Sequence, residues 1–272
     1  QGGFLGGGFN VADLSQSGDG NTAEVYQYGD FFAGDENTAT VRQSGDGNLA
    51  VAEQIGVLNT SSIDQSGDNN SAYAGQAGFA GDSTVIQSGD NNQVELLQYG
   101  EANVSYVDQD RAYLGSGDSN TALILQDGFT NYSGISQSGA FNLADVDQQG
   151  ENQRSMVGQT GENNIADLTQ YGLNEWSEIN QNGANGIAAV TQEGGQDNQS
   201  FINQNGDDNF VGVTQWGSNG YSNVLQDGDF GAAIVSQEGD SQQSYIAQGG
   251  MLIPSWGNEA YVSQTATAAG AA

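Results

Sequence analysis

The sequence predicts an all-β protein: a parallel β-solenoid (β-helix) with two strands per rung and about 11 rungs of 22 residues, cross-β and amyloid-like in character. Three observations carry this. A glutamine recurs at a dominant spacing of 11 residues, the residues before it alternate with a period of two, and a small residue four places ahead of it switches between Ser and Ala with a period of 22.

The glutamine spacing comes first, because an overlooked repeat misassigns the whole fold. A motif N-x-A/S-x-V/I/L-x-Q-x-G runs from Asn10 to Gln264. Its first eleven glutamines are Gln16, Gln27, Gln43, Gln54, Gln65, Gln76, Gln87, Gln98, Gln109, Gln126 and Gln137. The second eleven are Gln148, Gln159, Gln170, Gln181, Gln192, Gln204, Gln215, Gln226, Gln237, Gln248 and Gln264. Of the 21 intervals, 17 are 11 residues; the other four read as loop insertions near Phe31, Tyr113, Gly195 and Pro254. The single Pro lies in the last of these, where no ladder hydrogen bond is lost.

The alternation follows once the Gln is set at position 7. Position 5 is Val, Ile or Leu in 20 of 22 units, with Ala52 and Ala74 the exceptions, and position 3 is Ala, Ser or Val throughout. Position 1 is Asn in 15 units: Asn10, Asn21, Asn37, Asn48, Asn59, Asn70, Asn92, Asn103, Asn120, Asn131, Asn142, Asn164, Asn198, Asn209 and Asn258. Residues 1, 3, 5 and 7 therefore share one face of a strand, whereas a helix would repeat its apolar residues at three and four. Gly at position 9 opens a short turn, often S-G-D-G-N or S-G-D-N-N.

The period of 22 fixes the rung. From the third pair onward position 3 is Ser in each first strand (Ser61, Ser83, Ser105 and onward to Ser244) and Ala or Val in each second strand (Ala72, Val94, Ala122 and onward to Ala260). Each turn of the chain lays one Ser strand against one Ala strand, giving two parallel sheets face to face. Two aliphatic residues per rung cannot offset the ordering of 22, so stability must come from stacking. Position 7 faces inward yet is polar; in a stack each Gln amide can bond the amide one rung away, and the position 1 Asn can do the same. The alternative is that these amides are solvated residues flanking turns, which would not demand Gln in every unit.

The spacing in Gln43 to Gln54 (QSGDGNLAVAEQ) and Gln65 to Gln76 (QSGDNNSAYAGQ) resembles the curlin repeat of curli, the amyloid fibres of bacterial biofilms, and the chain is major-subunit-like. It departs from the family pattern in carrying Asn rather than Ser at position 1 and in having more repeats. The resemblance implies a secreted structural subunit that crosses the outer membrane unfolded and polymerises at the cell surface. It also implies a nucleator subunit, a dedicated secretion pore and periplasmic chaperones as partners.

This reading divides the chain into a flexible Gly-rich lead (1–9), a repeat solenoid (10–264) and a short tail (265–272). The start at Gln1 rather than Met is consistent with a signal peptide already removed. Neither flank offers a helix, a charge cluster or a Pro to blunt an exposed edge. Bare, complementary ends give a contact that does not close, hence a filament grown by strand addition. The expected polymerising edges are Asn10 to Gln27 and Gln242 to Gln264; the alternative is that lead and tail fold over the ends as caps.

Acidic residues number 34 against three Arg and no Lys, a formal charge of -31, which repels nucleic acid and anionic membranes. No apolar run approaches the roughly 18 residues of a membrane span. Asp19, Asp46, Asp68, Asp90, Glu162, Asp207 and Asp229 each follow a first-strand Gln by three places and form a broken line at rung spacing. They are expected to solvate the turns and restrain premature assembly, with a loose ladder of divalent cations as the alternative. Tyr28, Tyr99, Tyr171 and Trp216 follow second-strand glutamines and should point outward.

With no His, Cys or Lys, the usual general bases and nucleophiles are missing, so no enzyme activity, catalytic residue, cofactor or metal site is expected. The competing reading is a monomeric secreted solenoid that binds ice, glycan or a surface. An ice-binding face wants a regular outward T-x-T row, which Thr22, Thr38, Thr60 and Thr121 do not make.

Overall fold

The computed structural model describes the backbone of residues 2–6 and residues 9–29, 36–110, 119–249 and 257–265. Among these the alternation of small or aliphatic residues with polar ones yields 23 strands and no helix. One sheet takes the odd-numbered strands in order, from β1 (Gly2–Gly6) and β3 (Thr22–Tyr28) to β23 (Glu259–Thr265). The other takes the even-numbered strands from β2 (Val11–Ser17) to β22 (Gln243–Gln248). The chain thus crosses between sheets at every turn, and each strand pairs in parallel with the strand two places on. Gln126, Gln148 and Gln170 are register partners, as are Ala122, Ala144 and Ala166.

Positions 3 and 5 make a core two side chains thick between the sheets. Val41, Ala50, Leu96, Val107, Ala122 and Val224 are wholly buried. Ala52 and Ala74, the two departures at position 5, are register partners in adjacent strands and equally buried, so the missing volume is confined to one place. A thin core favours residues that alternate cleanly, since a slip by one residue would turn every aliphatic side chain outward.

The turns are stacked as strictly as the strands. Gly at position 9 has positive φ in most units, as at Gly56 and Gly78. A Cβ on Gly78 would collide with the carbonyl oxygen of Gly100, one rung on. The residue before position 1 is also left-handed even where it is not Gly, as at Leu58, Thr130 and Phe141. Its backbone joins the ladder: Asn69 N–H donates to Asp46 O and Ala80 N–H to Val57 O, both at 2.9 Å. Those bonds hold an unfavourable φ that the side chain alone would not choose.

Of the four insertions, those near Phe31, Tyr113 and Pro254 lie outside the described residues. The one near Gly195 is a bulge: between β15 (Ile165–Leu173) and β17 (Ile187–Gln196), Gly172 pairs with Gly195, leaving Gly194 unpaired. The bulge absorbs the twelfth residue without disturbing the register on either side.

The lead departs from expectation. Read from sequence as a flexible segment preceding the first strand, it contributes β1, which pairs in parallel with β3 from Gly2↔Glu24 to Gly6↔Tyr28. The outer edge of β3 presents a row of backbone donors and acceptors, and a nearby Gly-rich chain can approach closely enough to take them. The end of the solenoid near Asn10 to Gln27 is therefore covered on the odd sheet. It was expected to be bare.

A backbone collision cannot be relieved by side-chain movement. Gly78→Ala should lower stability by more than about 3 kcal/mol, whereas Gly194→Ala, with φ +75 and open space around it, should cost only about 1 kcal/mol. Thermal or denaturant unfolding of the two variants side by side checks the difference.

Candidate functional site

The chemically organised part of this protein is its polar interior. Position 7 faces inward, and 19 of the 22 repeat glutamines are buried; Gln16, Gln248 and Gln264, at the two ends, are not. In the odd sheet, Nε2 of Gln27 donates to Oε1 of Gln54 at 2.9 Å, and the file continues without a break to Gln237 Nε2 and Gln264 Oε1 at 3.0 Å. In the even sheet the file runs from Gln16 Nε2 and Gln43 Oε1 at 2.6 Å to Gln226 Nε2 and Gln248 Oε1 at 2.7 Å. Every bond has the same direction, amide nitrogen to the oxygen of the following rung.

From Gln27 onward the second N–H of each amide crosses the core. Gln54 Nε2 donates to Thr38 O at 3.0 Å, and Gln137 Nε2 to Thr121 O at 2.9 Å, each a carbonyl at the start of a strand in the facing sheet. One residue type thereby binds rung to rung and sheet to sheet. The buried serines of the even strands join this network: Ser105 Oγ donates to Gln126 Oε1 at 2.7 Å, while Ser83 and Ser155 bond the serine of the preceding rung at 3.1 and 3.0 Å.

The position 1 asparagines are stacked, but they bond differently from the expectation of an amide file. Asn37 Oδ1 accepts the backbone N–H of Asn59 at 2.9 Å, and Asn37 Nδ2 donates to Gly56 O at 2.8 Å. Asn48 repeats both bonds with Asn70 N–H and Gly67 O. Being one methylene shorter than Gln and set beside a turn, Asn reaches main-chain groups that the turn would otherwise leave unpaired. Direct amide-to-amide bonds occur at Asn120, Asn142 and Asn164, with Nδ2 donating to Oδ1 of the preceding rung at 3.1 Å.

The acidic line is also a hydrogen-bond ladder, which goes beyond the turn solvation expected of it. Asp19 N–H donates to Asp46 Oδ1, Asp46 N–H to Asp68 Oδ1 and Asp68 N–H to Asp90 Oδ1, at 2.7, 2.8 and 2.9 Å. The line resumes where Ala184 N–H donates to Asp207 Oδ1 and Asp207 N–H to Asp229 Oδ1. One oxygen of each of these carboxylates therefore serves the backbone. Among the described residues no three acidic side chains converge as a metal site would require.

Tyr28, Tyr99 and Trp216 point outward and are exposed; Tyr171 is partly covered, and its hydroxyl donates to Asp147 at 2.7 Å. That bond to a carboxylate, with partial burial, pushes the Tyr171 phenol up to about 12. Sequence reasoning missed a second outward aromatic file on the even sheet, where Arg154 lies over the rings of Tyr132 and Trp176 and Trp176 packs edge-on against Phe201. Its signal lies in the sequence at positions 2 and 4 of consecutive even-strand units, as Tyr132, Arg154, Trp176, Phe201 and Tyr221.

Gly81, Gly186, Gly220 and Gly231 interrupt the Asn file without a side chain, and two further units interrupt it with a longer buried polar one. Gln153 and Glu175 occupy position 1 in successive even-strand rungs, each 1% exposed. Asn198 Nδ2 donates to Glu175 Oε1 at 3.3 Å, but Gln153 Oε1 and Glu175 Oε2 have no partner. Burial pushes the Glu175 carboxyl up to about 7, with Asn198 opposing and Glu193 adding to the rise. The sequence marks the site as an acid where the repeat has an amide.

A Glu whose folded pKa is raised favours the fold while neutral. Its stabilisation is complete below the unfolded value near 4.5 and is lost as pH rises through about 7, a difference on the order of 3 kcal/mol. Unfolding midpoints at pH 5 and pH 8 should therefore converge in Glu175→Gln relative to the parent. Asp82, Asp145 and Asp167, also raised by burial, shift both proteins alike. Within the Gln file, Gln126→Leu removes the donor to Gln148 Oε1 and Val104 O and the acceptor of Ser105 Oγ, while Gln98 Nε2 keeps Asp82 O and Ser105 Oγ; it should lower stability by about 2–4 kcal/mol, as read by denaturant unfolding.

Comparison with known proteins agrees with this geometry. The curlin-associated repeat profile matches residues 6–30, 34–65, 59–89, 117–140 and 142–172, together half of the chain. No curated protein matches the sequence. With the repeat matched in five segments, its inward Gln and Asn stacked in register and its two parallel sheets formed, the chain belongs to the curlin-associated repeat family.

Proposed function

We propose that this protein is the structural subunit of an extracellular functional-amyloid fibre of the curli type, part of a bacterial biofilm matrix. The observation that carries the reading is the unbroken, one-directional Gln file in each sheet: it begins with the amide acceptors of Gln16 and Gln27 and ends at Gln248, whose Nε2 donates to Ala232 O and Asn258 O, and at Gln264, which gives one N–H to Gln243 O and keeps its second for a following rung. A second molecule added end to end supplies the missing partner, so stacking that stabilises one rung on the next also joins molecules. Growth is by strand addition, each arriving chain ordering its terminal rung on the end of the fibre. The interior, buried and hydrogen-bonded from rung to rung, serves as scaffold rather than as a reaction site.

Membership of the family supports the surrounding biology: export across the outer membrane, deposition at the cell surface, adhesion within the matrix, and a nucleator subunit, secretion pore and periplasmic chaperones as partners. The -31 charge is suited to keeping single chains apart in transit.

The purified chain should form unbranched filaments visible by negative-stain microscopy. Aligned filaments should diffract at about 4.8 Å along the axis and about 10 Å across it. Chains that persist as monomers over days at high concentration would favour the monomeric binding solenoid.

A further inference from the structure

The first amide of the odd file is incomplete. Gln27 is wholly buried, its Nε2 donates to Gln54, and its Oε1 has no partner. Every following Gln in that sheet accepts from the Gln before it. In the position from which Gln27 should accept stands β1, and the residue in register with Gln27 is Leu5, which carries no side-chain donor.

At the opposite end, Gln264 Oε1 accepts from Gln237 and one N–H of its Nε2 donates to Gln243 O. Among the described residues no strand lies on the outer side of β23. Set on β3 in the register used by every other pair, β23 would align Ala260 with Ala23, Val262 with Val25 and Gln264 with Gln27. Those are like residues on like residues, and the second Gln264 N–H is the donor that Gln27 Oε1 lacks. By contrast β1 covers five of the seven residues of β3, and three of its own five are Gly, a poor strand former.

We propose that β1 is a placeholder for β23 of a second copy of this chain, holding the outer edge of β3 until an arriving molecule displaces it. The proposal rests on the fibre reading above and specifies its junction: β23 replaces β1 on β3 while β22 adds to the outer edge of β2. That edge carries no strand among the described residues, and there Gln248 meets Gln16. The end bearing β1 is then half closed in the free chain, and its apparent affinity for a partner is lowered by the fraction of time β1 is in place.

Three variants of the full chain test this by following filament growth from seeds. Deletion of residues 2–6 should speed growth by about tenfold if β1 occupies the edge some nine-tenths of the time. Leu5→Gln gives the placeholder the missing amide donor and should slow growth. Phe4→Cys with Tyr26→Cys, register partners in a chain without other Cys, should halt growth at this end when oxidised and restore it on reduction. A fourth, Tyr26→Cys with Ser263→Cys, should cross-link between molecules within filaments. Equal growth rates for parent, deletion and Leu5→Gln overturn the placeholder and leave the fibre reading standing, as does oxidised Phe4→Cys/Tyr26→Cys growing at the reduced rate. Filaments that fail to cross-link through Tyr26→Cys and Ser263→Cys overturn the junction register. Absence of filaments from parent and deletion alike overturns both, whereas filaments from the deletion alone establish the placeholder.

Discussion

The fold depends on a buried primary amide that must find partners in a narrow interior. A Gln side chain carries two donors and an acceptor, and leaving any of them unpaired away from water is costly. Here one N–H and the oxygen are spent along the stack and the other N–H on a carbonyl of the facing sheet, as at Gln54. This dual use ties rung to rung and sheet to sheet through one side chain, on a rung spacing already set by the backbone ladder. An aliphatic side chain at position 7 would fill the space but would supply neither tie.

Direction follows from the same constraint. Because each Gln donates forward and accepts from behind, the two ends of the solenoid differ chemically, one offering hydrogens and the other lone pairs. A stack of such molecules has one polarity without any further device. The Asn file runs in the other sense, each side-chain oxygen receiving the main-chain N–H of the following rung, and the acidic file returns the backbone N–H of one turn to the carboxylate of the next. The three files fasten the strand interior, its start and its turn, so the whole circumference of a rung is tied to its neighbour. Departures from the pattern are correspondingly informative: Glu175 places a titratable acid in a file built for amides, and at the head of the odd file the residue in register with Gln27 is Leu5 rather than Gln.

Much of this was legible in the sequence because the repeat is short and each position has one environment. The 11-residue spacing of Gln, the alternation before it and the Ser/Ala switch at 22 specify strands, inward faces and two parallel sheets, since only a stack lets the same residue type recur at the same place. What lies between the repeats was less legible. Phe141 and Thr130 give no sign of a left-handed backbone, because that conformation is imposed by the hydrogen bonds of the stacked turns rather than by the residue. Asp46 and Asp68 read as solvated turn acids until the backbone N–H of the preceding rung is placed against them.

The sequence by itself determined the period, the inward set and the register, for these follow from identity between units and need no knowledge of distance. Only the tertiary structure decided which partner each polar atom takes: that Gln also spans the sheets, that Asn bonds main chain rather than its own kind, that Glu175 is enclosed, and that the Gly-rich lead lies along β3. The physical reason is reach. A side chain's partner depends on a difference of one methylene or one ångström between neighbouring rungs, and a one-dimensional pattern carries no such lengths.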